Sequence, residues 1–112
     1  MNKIEAIIQP HKLADVKDAL VAIGIDGITV TEVRGHGRQK GHKEVYRGME
    51  YQVDLLPKIK VEAIVTTART EEVIRALVAG ARSGAIGDGK VFVTPVAEAI
   101  RIRNDERGDS AL

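Results

Sequence analysis

The chain has 112 residues, of which 44% are apolar and 29% charged, with no cysteine and a formal net charge of +1. This length suits one domain with one core. The absence of cysteine excludes disulfides and thiolate metal sites, and the small net charge gives no overall attraction to nucleic acid or acidic lipid. The first residues lack the apolar region of a signal peptide, and no apolar run approaches the ~20 residues of a transmembrane helix. We therefore expect a cytoplasmic protein without direct membrane insertion and without nucleic-acid binding.

A six-residue strand pattern occurs twice along the chain. Lys3–Ile8 (KIEAII) returns as Lys60–Val65 (KVEAIV), with four identical positions and two exchanges of Ile for Val. Because side chains alternate along a strand, Ile4, Ala6 and Ile8 share one face in the first copy. The second copy repeats this alternation, so the sequence predicts two related halves.

A helix is predicted after each of these strands. The first carries an apolar stripe at helical spacing and ends at Gly24. The second begins near Thr70, a predicted N-cap followed by two glutamates in the first turn. The stripes consist of Leu13, Val16, Leu20 and Ile23 in the first helix and of Val73, Leu77 and Ala81 in the second.

A further strand follows each helix, at about 28–35 and 90–96. The resulting βαβ-βαβ order predicts an α+β fold of the ferredoxin-like type. In this fold a four-stranded antiparallel sheet carries both helices on one face, within a single domain over residues 1–112. A long loop, about 37–55, separates the halves, and such a loop is usually functional or disordered. The polar tail 104–112 is expected to be frayed.

The other face of the predicted sheet mixes apolar and charged residues. Ile7 and Ile64 lie on it beside lysines and glutamates of the repeated segments. A partly apolar face without a helix to cover it usually meets another subunit, which favours self-association. The alternative is a solvated face with a few exposed apolar side chains.

Three glycines near the last strand, at positions 84, 87 and 89, form a pattern that resembles a P-loop. It departs from a P-loop because Val91 replaces the Ser or Thr that would bind magnesium, and because a strand follows instead of a helix. What remains is a turn, Gly87–Lys90, whose backbone N–H groups could converge on an anion beside the Lys90 cation. The alternative is a plain Asp-Gly turn before a strand.

Two arginines near the C-terminus add positive charge. Alternation predicts Arg101 and Arg103 on one side of a short extended segment, with Ile102 pointing inward. Arginine pairs bind phosphate oxygens well, and together with Lys90 and Arg38 they would suit a triphosphate. The alternative is a solvated basic edge.

Two motifs connect these features to a known family. Ser83-x3-Gly87-Asp88-Gly89-Lys90-Val91-Phe92-Val93 resembles the C-terminal signature of the PII nitrogen regulatory proteins. Tyr46-Arg47-Gly48-Met49-Glu50-Tyr51 resembles the modification-loop signature of the same family. The resemblance covers nearly the whole chain. It implies a ferredoxin-like homotrimer that is not an enzyme, with ATP or ADP in each cleft between subunits.

The resemblance also implies the ligand contacts. A magnesium ion held by Gln39 would join the ATP phosphates to 2-oxoglutarate, and Lys58 would pair with the distal carboxylate of that acid. Tyr51 would be uridylylated or adenylylated, and Arg47 at the loop tip would contact an ammonium channel. The implied nucleotide contacts are Thr29, Gly35, Gly37, Arg38, Gln39, Ile64, Gly87, Asp88, Gly89, Lys90, Arg101 and Arg103. The implied 2-oxoglutarate contacts are Gln39, Lys40, Gly41, Lys58 and Gly87.

Function would then be signalling of nitrogen, carbon and energy status. The long loop would regulate a nucleotidylyltransferase, nitrogen-metabolism enzymes or regulators, or an ammonium channel that recruits the protein to the membrane. Met49 departs from the signature, where a small residue is usual, which excludes serine phosphorylation at that position. His11 and His36 replace common phenylalanines, and we expect small packing changes there.

Two other functions compete with this interpretation. An RNA-binding ferredoxin-like module would need aromatic side chains on the open sheet face, and the chain has only Tyr46, Tyr51 and Phe92. A small phosphotransferase or ATPase would need a positioned base and acidic magnesium ligands. Asp88 is the only acid in the predicted phosphate turn, which argues against catalysis.

Overall fold

The structure, a computed structural model, describes residues 1–36, 42–46, 49–53 and 55–112. Short 3-10 turns precede both helices, at Pro10–Lys12 and Thr67–Arg69, and a third lies at Gly108–Ala111. The strands are β1 (Asn2–Ile8), β2 (Ile28–Gly35), β3 (His42–Tyr46), β4 (Met49–Val53), β5 (Leu56–Val65) and β6 (Lys90–Pro95), and the helices are α1 (Leu13–Ala22) and α2 (Thr70–Ala81).

Four of the strands form an antiparallel sheet in the order β2-β5-β1-β6. The repeated segments are therefore the two central strands, with Ile4 opposite Ala63 and Ala6 opposite Val61. Both helices pack on one face, so the predicted ferredoxin-like class is confirmed.

The core lies between this sheet face and the helices. Alternate residues of β1 and β5 are buried, and the helices contribute the predicted stripes. Gly80 allows the helices to touch, since a Cβ there would lie 3.0 Å from the Asp15 carbonyl oxygen in α1. The buried apolar residues are Ile4, Ala6, Ile8, Val16, Leu20, Ile59, Val61, Ala63, Val65, Val73, Leu77 and Ala81.

Both predicted helix ends are correct, and only the capping role given to Thr70 is wrong. Gly24 has a φ of 81°, and the N–H of Ile25 donates to the Leu20 carbonyl at 2.9 Å, which is a Schellman ending. Thr70 is not the N-cap: it is the first helical residue, and its hydroxyl accepts from Asn2 Nδ2 at 3.0 Å. The preceding 3-10 turn supplies the first backbone bonds, with Arg69 N–H on the Thr66 carbonyl, so no side-chain cap is used.

The segment between the halves contains more regular structure than the sequence predicted. Within the predicted loop 37–55, β3 and β4 pair as a separate antiparallel ribbon, with Tyr46 opposite Met49. Two residues, Arg47 and Gly48, separate the strands in sequence. A two-residue connection that contains glycine is a hairpin signal. The length and polar composition of the segment had favoured a loop instead.

The open sheet face carries a balanced set of charges. Glu5 lies opposite Glu62 across the central strands. A lysine on the same strand as each glutamate offsets its negative charge. Lys3 Nζ is 3.8 Å from Glu5 Oε1, and Lys60 Nζ is 3.7 Å from Glu62 Oε1. Phe92, opposite Glu5, is 50% exposed on this face.

Candidate functional site

The glycine turn before β6 is held together by Asp88. One carboxylate oxygen accepts from the N–H groups of Ser83 and Gly84 at 2.9 and 2.8 Å, and the other accepts from the Ser83 hydroxyl. These bonds, led by the Ser83 hydroxyl, hold the pKa of the Asp88 carboxyl below its usual value. Asp88 therefore folds the turn, while its implied contact with a nucleotide stays a prediction.

Glycine is required in this turn for conformation and for space. Gly84, Gly87 and Gly89 have φ values of 87°, 102° and 96°, which other residues adopt at a cost. A Cβ on Gly89 would lie 1.6 Å from the Ile7 carbonyl oxygen, so the turn is pressed against the end of β1. Successive peptide groups in such conformations can form a concave anion site.

Lys58 lies beside this turn. Its side chain, on β5, is only 9% exposed, and its Nζ donates to the Gly87 carbonyl at 3.3 Å and to Gln9 Oε1 at 3.1 Å. Burial lowers the pKa of the Lys58 ammonium below its usual value, and the negative charge of Asp88 opposes part of this shift. Gly35, at the end of β2, packs against the Lys58 stem, since a Cβ there would lie 3.5 Å from Lys58 Cγ.

A second group of predicted residues lines a cavity of about 600 Å³. Thr29 of β2 and Ile64 of β5 both contribute to its wall. The tail residues Asp109 and Leu112 complete this cavity on one side.

These two groups lie at opposite ends of the sheet. Lys58 and Ile64 are six residues apart on β5, which corresponds to roughly 20 Å at the rise of a strand. Within one chain, the structure brings Gly35 and Lys58 to the glycine turn and leaves Thr29 and Ile64 far from it.

The C-terminal arginines do not form the predicted extended pair. Residues 102–104 form a turn, and Ile102, predicted to point inward, is 98% exposed. The turn closes because Ile100 bridges to Arg107 and because the Arg101 N–H donates to the Glu106 carbonyl at 2.8 Å. Arg103 is exposed on this turn.

The tail from Asn104 onward is docked, so the expectation of a frayed end is wrong. The Arg101 guanidinium lies 2.9 Å from a Glu106 carboxylate oxygen and donates to the carbonyls of Ser110 and Leu112 at 3.1 and 3.3 Å. The polar composition of the tail predicted fraying, but its contacts with Arg101 hold it in place. Arg101 thus lies near the cavity that Thr29 and Ile64 line, at the far end of β6 from Lys90.

The predicted residues between the two halves are described only in part. Tyr51 lies on β4, opposite Glu44. The predicted residues Gly37, Arg38, Gln39, Lys40, Gly41 and Arg47 lie outside the described residues.

Gln9 is a site residue that the sequence analysis missed. In the antiparallel register Ile8 lies opposite Ile59, and one further step places Gln9 opposite Lys58. A direct repeat does not define an antiparallel register, so the sequence held no signal for this pairing.

The chemistry of the turn favours binding over catalysis. It offers the buried ammonium of Lys58, the side chain of Lys90 at the start of β6 and the backbone N–H groups of the glycine turn. All three kinds of group suit anions. Both oxygens of Asp88 are engaged by Ser83 and Gly84. Asp88, the acid that an ATPase would need as a base, is thus already used in hydrogen bonds that hold the turn.

Comparisons with known proteins agree with the architecture. A family model described as "Nitrogen regulatory protein P-II" matches residues 1–106. Over 112 residues and the full length of both chains, the sequence is 58% identical to the nitrogen regulatory protein P-II of Rhodospirillum rubrum, 57% to that of Azospirillum brasilense and 54% to P-II 1 of Escherichia coli.

A solved structure supports the same relationship. Arabidopsis thaliana PII bound to citrate superposes with a TM-score of 0.82 at 41% sequence identity, covering 99% of this chain and 91% of that one. Within the described residues, no helix is both long and apolar enough to cross a bilayer. The family and its named relatives are regulators, which confirms the prediction of a protein that is not an enzyme. The chain belongs to the PII family of nitrogen regulatory proteins.

Proposed function

We propose that this regulator is a homotrimeric, cytoplasmic sensor that binds ATP or ADP between subunits. With ATP and Mg²⁺ in place it also binds 2-oxoglutarate. The occupied site then changes the population of conformations in the segment 37–55, which contacts partner proteins. Different ligands shift such populations when they contact the conformations differently.

The observation that carries the proposal is the position of Lys58. A lysine that is 9% exposed, with its Nζ 3.3 Å from the Gly87 carbonyl, places a fixed cation at the glycine turn. Dianionic acids need such cations. The citrate bound to the Arabidopsis relative is itself a polycarboxylate, which supports an acid as the effector here.

The separation of the two groups of residues supports a site shared between copies. One end of the sheet carries the glycine turn with Lys58, and the other end carries the cavity lined by Thr29 and Ile64. Each group would form half of a nucleotide site. Head-to-tail contacts between copies join unlike surfaces, and they form a closed ring when the rotation between copies closes. In a trimer, Gly87–Lys90 of one copy would hold the phosphates with help from Arg101 of the next copy. Thr29 and the backbone near Ile64 of that next copy would receive the adenine.

Arg101 would have to exchange partners in this scheme. In the described conformation its guanidinium contacts Glu106 and the tail carbonyls. A triphosphate offers more charge than one carboxylate and two carbonyls, so binding is expected to draw Arg101 away from the tail. Gln39 would hold the Mg²⁺, with Arg38, Arg103, Gly37, Lys40 and Gly41 completing the ligand contacts.

The segment 37–55 is the proposed output. Tyr51 on β4 would accept a nucleotidyl group, and Arg47 would contact an ammonium channel that recruits the protein to the membrane. Other partners would be a nucleotidylyltransferase and enzymes or regulators of nitrogen metabolism.

Isothermal titration calorimetry tests the proposal. The wild-type chain should bind 2-oxoglutarate in the presence of Mg-ATP and not in its absence. Light scattering should give three times the 12.1 kDa of one chain. Lys58→Met, which preserves length and suits a buried position, should weaken acid binding at least about 30-fold, because removing one partner of a buried charge pair costs ~2–5 kcal/mol.

Lys17→Met is the matched control, since Lys17 is an exposed lysine on α1. It should bind both ligands as the wild type does. Equal acid affinity with and without nucleotide, or an unchanged affinity in Lys58→Met, would contradict the proposal.

A further inference from the structure

Gln9 contacts the cation on which the proposed acid site depends. Lys58 Nζ donates to Gln9 Oε1 at 3.1 Å and to the Gly87 carbonyl at 3.3 Å. Both of these acceptors are neutral oxygens. They orient the ammonium by hydrogen bonding and add no negative charge that would cancel its own.

The backbone around Gln9 is well fixed. Ile8 before it is 1% exposed in the core, and the Gln9 carbonyl accepts from the Lys12 N–H at 3.0 Å in the 3-10 turn that follows. Gln9 itself has extended backbone angles, φ −67° and ψ 138°. Its side chain therefore starts from a rigid point at the end of β1, which suits a positioning role.

The contact also fixes the orientation of the Gln9 amide. Oxygen and nitrogen of a glutamine amide are ordinarily assigned from their surroundings. An ammonium can only donate, so the atom facing Lys58 must be the oxygen.

We propose that Gln9 is a positioning residue for the acid site, holding the Lys58 ammonium at the glycine turn without neutralising its charge. The inference rests on the proposed function, because it assumes that a carboxylate of 2-oxoglutarate meets Lys58. Gln9 thereby favours dianionic ligands, because it orients the ammonium and brings no negative charge of its own. A glutamate at this position would form an ion pair with Lys58 and repel the acid.

Calorimetric titrations of Gln9→Glu and Gln9→Met test this assignment. With Mg-ATP present, Gln9→Glu should bind 2-oxoglutarate about tenfold or more weakly, since like charges placed together in a binding site are strongly unfavourable. ATP affinity and the thermal midpoint should stay at or above wild-type values, because the new carboxylate pairs with a buried cation. Gln9→Met, which removes the acceptor and adds no charge, should weaken acid binding less.

His11→Glu is the matched control for charge. His11 is exposed two residues from Gln9, so the variant adds the same negative charge nearby without contacting Lys58. It should bind the acid nearly as the wild type does. The double variant Gln9→Glu with Lys58→Met should have a thermal midpoint no higher than that of Lys58→Met alone, because the new carboxylate then has no ammonium to pair with.

The outcomes separate the inference from the proposed function. If the wild type binds 2-oxoglutarate and Gln9→Glu binds it equally well, the role of Gln9 is wrong and the sensor proposal stands. A loss of acid and ATP binding together, with a lowered thermal midpoint, would mean a purely structural residue and would also overturn the inference. If the wild type binds ATP and no acid, the proposed acid site is wrong and the role of Gln9 is overturned with it.

Discussion

Gly89→Ala should be among the most destabilising conservative changes in this chain. Two effects add at this position. The φ of 96° costs a residue with a Cβ about 1–2 kcal/mol, and the new Cβ would lie 1.6 Å from the Ile7 carbonyl oxygen. Relieving that overlap requires backbone movement in β1 or the turn, and such overpacking costs ~1–3 kcal/mol. The expected loss of unfolding free energy is therefore about 2–5 kcal/mol.

Two other glycines separate these effects. Gly84 has a φ of 87° and would place a Cβ in open space, with no atom within 4 Å, whereas Gly27 has the same open space without a left-handed φ. Gly84→Ala should cost only the conformational part, ~1–2 kcal/mol. Gly27→Ala should be neutral or stabilising by up to about 1 kcal/mol, because alanine narrows the unfolded ensemble.

Urea unfolding followed by circular dichroism measures all three variants. The experiment is done without nucleotide and at one protein concentration, since ligand binding and assembly shift apparent stability. The reasoning fails if Gly89→Ala costs no more than Gly84→Ala. It also fails if Gly27→Ala destabilises as strongly as Gly84→Ala.

Three further predictions follow from the same structure. The Ser83 hydrogen bonds lower the pKa of Asp88, so their stabilisation is present above the usual carboxyl pKa of 3.8 and is lost as pH falls through the lower folded-state value; the difference in thermal midpoint between wild type and Asp88→Asn should shrink below pH 3.8, and a constant difference would contradict this. Leu20→Ala should cost ~2–5 kcal/mol in urea unfolding because Leu20 is fully buried, whereas Val21→Ala, at a side chain 52% exposed, should change little. Burial lowers the pKa of Lys58, so just below pH 10.5 the folded state binds fewer protons than the unfolded chain. The stability of the wild type should therefore increase as the pH rises in this range. Thermal midpoints measured from pH 7 to 10.5 should show this increase in the wild type and not in Lys58→Met.

The sequence predicted the parts of this protein that depend on local spacing. Alternation placed Ile4, Ala6 and Ile8 in the core, and helical spacing placed Val16 and Leu20 there. These patterns are reliable because a strand or helix presents its side chains at a fixed period whatever lies around it. The internal repeat then led to the ferredoxin-like order of elements, and the two signature motifs indicated the family.

Contacts between distant segments were decided only by the tertiary structure. Ile102 was expected inward and is 98% exposed, because Arg101 and Glu106 fold the tail into a turn that composition does not reveal. Gln9 and Lys58 lie 49 positions apart in the chain and meet through the antiparallel register. A side chain's partner across such a separation depends on how whole strands pair, and that pairing is set by the entire core at once.

One physical claim underlies the functional interpretation: a buried lysine, a glycine turn and the end of β1 converge at one end of the sheet. The sequence supplied the residues, and the fold brought them into contact because β1 ends beside the points where the antiparallel strands β5 and β6 begin. Thr29 and Ile64 lie at the other end of the sheet, and in the proposed trimer a second copy of the chain would bring them to the glycine turn.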